Sequence, residues 1–231
     1  MPIIRVQFFK KDTAKYISHL DLIRTVQRSV RRADIPVEYS KGFNPHSKIA
    51  YGPALAVGLS SDGELLDMEL KMHIDETEFM ERLNVNLPVG LGITAVKYVP
   101  DKAPSLTAII NAAEYRITCS VDTAGQNIGQ RVEEFFALDS VFIERTDKRG
   151  RKKRFNIMPM IVEVKRIEVA DGQVIIEVIT DTGGKSNLKP TDLVAALERY
   201  TGMPFEETDI HRKRLLIRRG EEYFSPLDIY D

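Results

Sequence analysis

The stretch Ser18-His19-Leu20-Asp21-Leu22-Ile23-Arg24-Thr25-Val26-Gln27-Arg28-Ser29-Val30-Arg31-Arg32-Ala33 reads as a capped amphipathic helix, and its neighbours decide the fold. Ser18 supplies an N-cap oxygen. Ile23, Val26, Val30 and Ala33 recur at 3-4-3 spacing on one face, with Arg24, Arg28, Arg31 and Arg32 opposite. Before the helix, Ile4, Val6 and Phe8 alternate with Arg5, Gln7 and Phe9, the period of a half-buried strand. After it come a loop over Ser40–Lys48, a strand around Ile49–Val57, a turn at Ser60-Ser61-Asp62-Gly63 and a strand from Glu64 to Met72. A second helix runs from about Asp75 to Val85 with Phe79, Met80 and Leu83 inward. Gly90-Leu91-Gly92 then breaks the chain before a strand at Ile93–Val99. The order is β-α-β-β-α-β.

That order is the split β-α-β plan called ferredoxin-like. Pro100 and Pro104 mark a linker, after which the order repeats. Tyr115, Ile117, Cys119 and Val121 form a strand, and Ile128–Leu138 a helix with Val132, Phe135 and Phe136 inward. A strand at Val141–Arg145 enters a basic turn. Strands near Ile161–Val169 and Val174–Thr180 flank Ala170-Asp171-Gly172, a helix starts at Pro190, and a last strand covers Ile210–Ile217. The expected fold is α+β: two tandem ferredoxin-like halves, 1–106 and 107–231, the second carrying a basic β-hairpin insertion.

Hydrophobic residues make up 43% of the 231, enough for a substantial core. No apolar run approaches the ~20 residues that span a bilayer. The start, Met1-Pro2-Ile3-Ile4-Arg5, does not read as a signal peptide. One cysteine, Cys119, excludes a disulfide framework and any multi-cysteine metal or iron–sulfur site within the chain. These features predict a cytoplasmic protein without a cofactor or membrane partner.

The net charge of −1 hides segregation. Residues 1–50 hold ten Lys/Arg against four Asp/Glu, whereas 51–140 hold six against fourteen. Residues 141–154 are basic again, seven against two. Such blocks attract polyanions while the total stays near neutral, although opposed faces can also simply neutralise one another.

Three groups therefore form a candidate nucleic-acid surface. Arg24, Arg28, Arg31 and Arg32 make a stripe that can follow phosphates, against the plainer reading of a solvated face balanced by Asp21 and Asp34. Lys148, Arg149, Arg151, Lys152, Lys153 and Arg154, with Gly150 at the turn, put six cations on a hairpin tip, whose ordinary alternative is a solubilising loop. In the loop, Lys41, Phe43, His46 and Lys48 offer a base-stacking ring and phosphate-reaching cations, unless Phe43 plugs the core and His46 caps backbone. Lys185 and Lys189 flank a helix N-terminus as a weak anion site. Gly183-Gly184-Lys185-Ser186 is not a phosphate loop, because Ile179 stands where the first glycine belongs. His19 or His46 would be the acid–base group of any cleavage reaction, but His19 lies beside the apolar face and is read as packed. His73 and His211 are isolated and no metal spacing is present. The sheet face showing Arg5, Gln7 and Phe9 beside Asp67, Glu69 and Lys71 predicts charge pairing or a contact between halves rather than base stacking.

Ile17-Ser18-His19-Leu20-Asp21-Leu22, Arg28-Ser29-Val30-Arg31-Arg32-Ala33, Gly42-Phe43-Asn44-Pro45-His46 and Gly63-Glu64 resemble the radical-SAM-linked protein family, and so does Lys189-Pro190-Thr191-Asp192-Leu193. The resemblance implies a radical-SAM partner, to which members of that family are sometimes fused. It implies no activity, and this chain lacks the three thiolates that hold a radical-SAM cluster. The doubled order is also similar to that of duplicated ferredoxin-like RNA-processing proteins. The leading expectation is an accessory RNA-binding protein acting with a radical-SAM partner in RNA modification or ribosome-related processing. The alternatives are a metal-independent endoribonuclease and a protein-interaction module without nucleic-acid binding.

Overall fold

A computed structural model describes residues 1–121, 127–146 and 150–230. The chain forms two compact units, Met1–Ile110 with Arg212–Asp231 and Asn111–His211. Both are α+β, dominated by sheet. Residues 212–231 thus belong with the first unit although they follow the second along the chain.

The first unit contains β1 (Ile3–Lys10), α1 (His19–Arg32), β2 (Ile49–Tyr51), β3 (Ser60–Glu69), α2 (Glu76–Asn86), β4 (Leu91–Val99) and the short α3 (Leu106–Ile109). β1 pairs antiparallel with both β3 and β4, and β2 pairs with β3 through Ile49–Met68, Ala50–Asp67 and Tyr51–Leu66. Ile4, Val6, Phe8, Leu66, Met68 and Leu70 point to one side and bury against Leu22, Val26, Val30, Phe79 and Leu83 of the helices. Each such side chain contributes roughly 1.5–3 kcal/mol relative to exposure. Ser18 caps α1 by accepting from the Asp21 amide at 3.2 Å, and Asp75 caps α2 by accepting from Thr77 and Glu78.

The second unit holds β5 (Ala112–Ser120), α4 (Ile128–Phe136), β6 (Phe142–Thr146), β7 (Lys152–Asn156), β8 (Ile161–Ala170), β9 (Gln173–Asp181) and α5 (Pro190–Thr201). β10 (Glu206–Arg219) begins in this unit and ends in the first, where β11 (Glu222–Phe224) folds back on it. Within the second unit the strand order is β10-β5-β9-β8, and β6 and β7 form a separate two-stranded ribbon. Asp171 and Gly172, both with positive φ, make the tight β8–β9 turn.

Two local expectations are corrected. Ser60–Gly63 is not a turn but the start of β3, because β10 lies against it and satisfies its polar groups. Ser61 donates to Arg212 O at 2.9 Å, and a Cβ on Gly63 would stand 2.8 Å from Arg214 Cα. The strand proposed for Ile49–Val57 stops at Tyr51: Gly52 N still donates to Leu65 O at 2.8 Å, but Pro53 has no N–H to continue the ladder. α3 and β11 were not foreseen; a four-residue helix and a three-residue strand carry too little periodicity to read.

The sheet face of the first unit shows how its charges are spent. Arg5 is fully buried and grips its cross-strand neighbour Asp67 with two bonds, Nε–Oδ1 2.8 Å and Nη2–Oδ2 2.9 Å. Its Nη1 donates to Pro226 O at 2.8 Å, and Tyr230 lies 5.9 Å above the guanidinium. Charge pairing, rather than an open stacking surface, occupies that face.

Candidate nucleic-acid interface

On α1 the apolar seam is Leu22, Val26, Val30 and Ala33, with Ile23 only half-buried. Arg24, Arg28, Arg31 and Arg32 are all exposed, but they differ in what holds them. Arg24 lies 3.5 Å from Asp21 across one turn. Arg32 folds back to donate to Asn86 O at 2.6 Å and to Ser29 Oγ at 3.2 Å, closing the end of α2. Arg28 and Arg31 have no ion pair or hydrogen bond from their side chains among the described residues. Two of the four arginines thus keep their fork of donors for an outside acceptor.

Arg31 also borders an open concavity of about 670 Å³ between the ends of α1 and α2. Most charges there already work for the fold. Arg82 donates to Ala33 O at 2.7 Å and 3.0 Å and to Glu78 at 3.0 Å, supplying a cationic donor to a carbonyl at the end of α1. Asp75 is spent on its cap, and Lys71 sits over the Tyr39 ring at 5.7 Å. His73 lies against Tyr98, ring centroids 4.5 Å apart.

The loop between β-like contacts at Tyr39 and Ser47 is pinned at its neck. Ser40 N donates to His46 O at 2.8 Å, and His46 N to Ser40 Oγ at 3.0 Å. Lys41, Phe43 and His46 are exposed at its tip, and Phe43 has no cover at all. The core-plug reading of Phe43 is therefore excluded. Lys48 is already used: Nζ lies 2.6 Å from Glu69 Oε2, and that hydrogen bond raises its pKa. His19 is half-buried and meets the Tyr51 ring edge-on at 5.5 Å. Burial pushes the Tyr51 phenol upward, so this pair has the character of packing.

In the second unit the predicted hairpin is present as β6–β7, but Lys148 and Arg149 lie outside the described residues. Arg151, Lys152, Lys153 and Arg154 are exposed. Directly opposed residues share a face of the ribbon. One face carries Ile143, which is buried, with Phe155, Arg145 and Lys153. Arg145 anchors it by donating to Asp192 Oδ2 at 2.8 Å and Asn187 O at 3.0 Å. The other face carries Phe142, Glu144, Arg154 and Lys152, with Arg154 4.2 Å from the Phe142 centroid and Lys152 3.5 Å from Glu144.

Lys185 and Lys189 are both exposed beside α5, whose first turn holds Asp192 and its partner Arg145. Among the described residues no group of His, Cys, Asp and Glu could hold a metal, and no helix is long and apolar enough to cross a membrane. Residue-by-residue reading missed Phe142 and Arg145. Phe142 occupies an alternating apolar position that looks like core, and Arg145 was absorbed into the basic run.

The profile of a protein family described as "Uncharacterized protein conserved in bacteria (DUF2344)" matches residues 4–190. No curated protein matches the sequence. A solved chain from a Cbf5-Nop10-Gar1 complex is similar at 12% identity and a TM-score of 0.48, covering 93% of this chain. This chain spans 48% of that one, about half its length. An unknown protein from Galdieria sulphuraria matches at 12% identity and a TM-score of 0.28, over 91% of this chain and 98% of that one.

Proposed function

The chain belongs to this family of uncharacterized proteins conserved in bacteria, and from that premise we propose an accessory RNA-binding protein that works beside a radical-SAM partner in RNA modification or ribosome-related processing. The observation that carries the RNA part is the pair Arg28 and Arg31, exposed on one face of α1 without an internal acceptor among the described residues. A guanidinium with five free donors is suited to the paired oxygens of a phosphate. The exposed cations of the hairpin support the same reading from the second unit. The radical-SAM partner rests on the sequence resemblance alone, as does a cytoplasmic location on composition.

The strand orders support reading both units as ferredoxin-like, the second with β6–β7 inserted. In the first, the order β4-β1-β3 carries the short β2 on β3, beside the β10 pairing; in the second, β10-β5-β9 continues into β8. β2 thus pairs β3 on the side away from β1, and β8 pairs β9 on the side away from β5, as the split β-α-β plan asks. Cleavage is not part of the proposal, because His19 is packed on Tyr51 and His46 stands in an exposed loop.

Titration of the whole protein with RNA at a series of salt concentrations tests the reading. The expected result is a Kd that weakens steeply with salt, each phosphate contact adding roughly 0.7–0.9 to the logarithmic slope. Absence of measurable RNA affinity at low salt, together with stable co-purification of a radical-SAM protein after nuclease treatment, would replace RNA binding with a docking role.

A further inference from the structure

We propose that Phe142 and Arg154 form a stacking platform for an unpaired base of single-stranded RNA; this deepens the RNA reading and rests on it. Phe142 and Arg154 stand on the ribbon face opposite the one anchored by buried Ile143 and by Arg145. Phe142 is 44% exposed, although a large apolar ring in a protein with this much core would gain by burial. Its cover is the Arg154 guanidinium, 4.2 Å from the ring centroid. A planar cation held on an aromatic face loses little further freedom when a base stacks on its other side.

The same face gives the backbone something to hold. Lys152 lies two residues from Arg154 along β7, and the side-chain period of a strand brings it to the same side. Its neighbour Glu144 is exposed and 3.5 Å away, an ion pair weak enough to exchange for phosphate. A stacked plane beside a cation is the combination that unpaired strands use, since every base has a π-face. Paired bases in an A-form helix do not expose those faces, so duplex RNA is the wrong ligand for this platform. An acidic protein would satisfy the cations but leave the stacked plane without a role.

The test uses the full chain and an unstructured RNA oligonucleotide carrying 2-aminopurine, beside its perfect duplex. Arg154→Lys keeps the charge and removes the plane, while Phe142→Leu keeps an apolar side chain and removes the ring. Both are expected to weaken single-strand binding on the order of tenfold and to abolish the fluorescence change of the stacked base. Arg154→Lys should do so without altering the salt slope, and neither should affect duplex binding. Undiminished single-strand affinity in both variants, or an equal loss for the duplex, overturns the platform while leaving the RNA reading intact. A wild-type protein that binds no RNA overturns both. Binding confined to acidic peptides and equally lost in Arg154→Lys would assign the face to a protein partner instead.

Discussion

Arg212 and Glu64 form a buried two-bond ion pair, Nε–Oε1 2.7 Å and Nη2–Oε2 2.5 Å, that ties the returning strand β10 to β3 in the first unit. Arg212 also donates to Pro53 O at 2.9 Å. The pair explains a strand that begins with Ser60-Ser61-Asp62-Gly63. These residues form good turns in isolation, but here a neighbouring backbone comes too close for any side chain at Gly63.

Breaking this pair from one side should be costly. Arg212→Ala leaves Glu64 buried and unpaired, and we expect a loss of about 3–5 kcal/mol in the unfolding of the first unit. Replacing both residues by apolar ones of similar size should recover much of that loss. Urea denaturation of the two single variants and the double variant measures the coupling. Gly63→Ala should destabilise as well, because its Cβ would meet backbone at 2.8 Å.

Deleting residues 221–231 should expose the Arg5 guanidinium by removing Pro226 O and the Tyr230 ring. Asp67 remains, so the cation keeps its partner and the expected effect is local. Hydrogen exchange should speed up in β1 and β3 before it changes in the second unit. A uniform loss of protection through both units would contradict this account.

Arg28→Ala with Arg31→Ala should leave thermal unfolding nearly unchanged, within about 0.5 kcal/mol, since neither side chain is engaged among the described residues. RNA affinity should fall, and the salt slope should drop by roughly 1.4–1.8 as each arginine gives up one phosphate. Arg32→Ala should behave in the opposite sense, costing stability through its lost bonds to Asn86 O and Ser29 more than it costs binding.

Cys119 is fully buried in β5, and burial pushes its thiol up to about 11 from the usual 9. The folded protein therefore holds this proton where the unfolded chain has released it. Stability contributed by Cys119 is complete below about pH 9 and is lost as pH rises towards 11. The slope of stability against pH over that window should flatten in Cys119→Ala. A thiol reagent at pH 8 should label the wild-type protein only on unfolding.

Much of this was legible along the chain, and the reason is local periodicity. The 3-4 spacing on α1, the alternation in β1 and β5, and the caps at Ser18 and Asp75 encode their elements without reference to distant residues. So does the hairpin, where the basic block Lys148–Arg154 with Gly150 at its turn is flanked by strand-like sequence. Charge segregation likewise identified the exposed faces, since uncompensated arginines are expensive to bury.

Long-range pairing decided the rest. Lys48 reads as a phosphate-reaching cation, yet Glu69, 21 residues away, claims it, and the pairing expected for the Arg5 face becomes a specific bond to Asp67 only in the folded sheet. Arg32 reads as a member of a charged face, yet the Asn86 carbonyl at the end of α2 captures it. No pattern in sequence distinguishes these from Arg28 and Arg31, because the difference lies in which acceptor the fold brings within 3 Å. The helix that opens the fold was therefore written in its own residues, and the division of its arginines into structural and available ones came from what packs beside it.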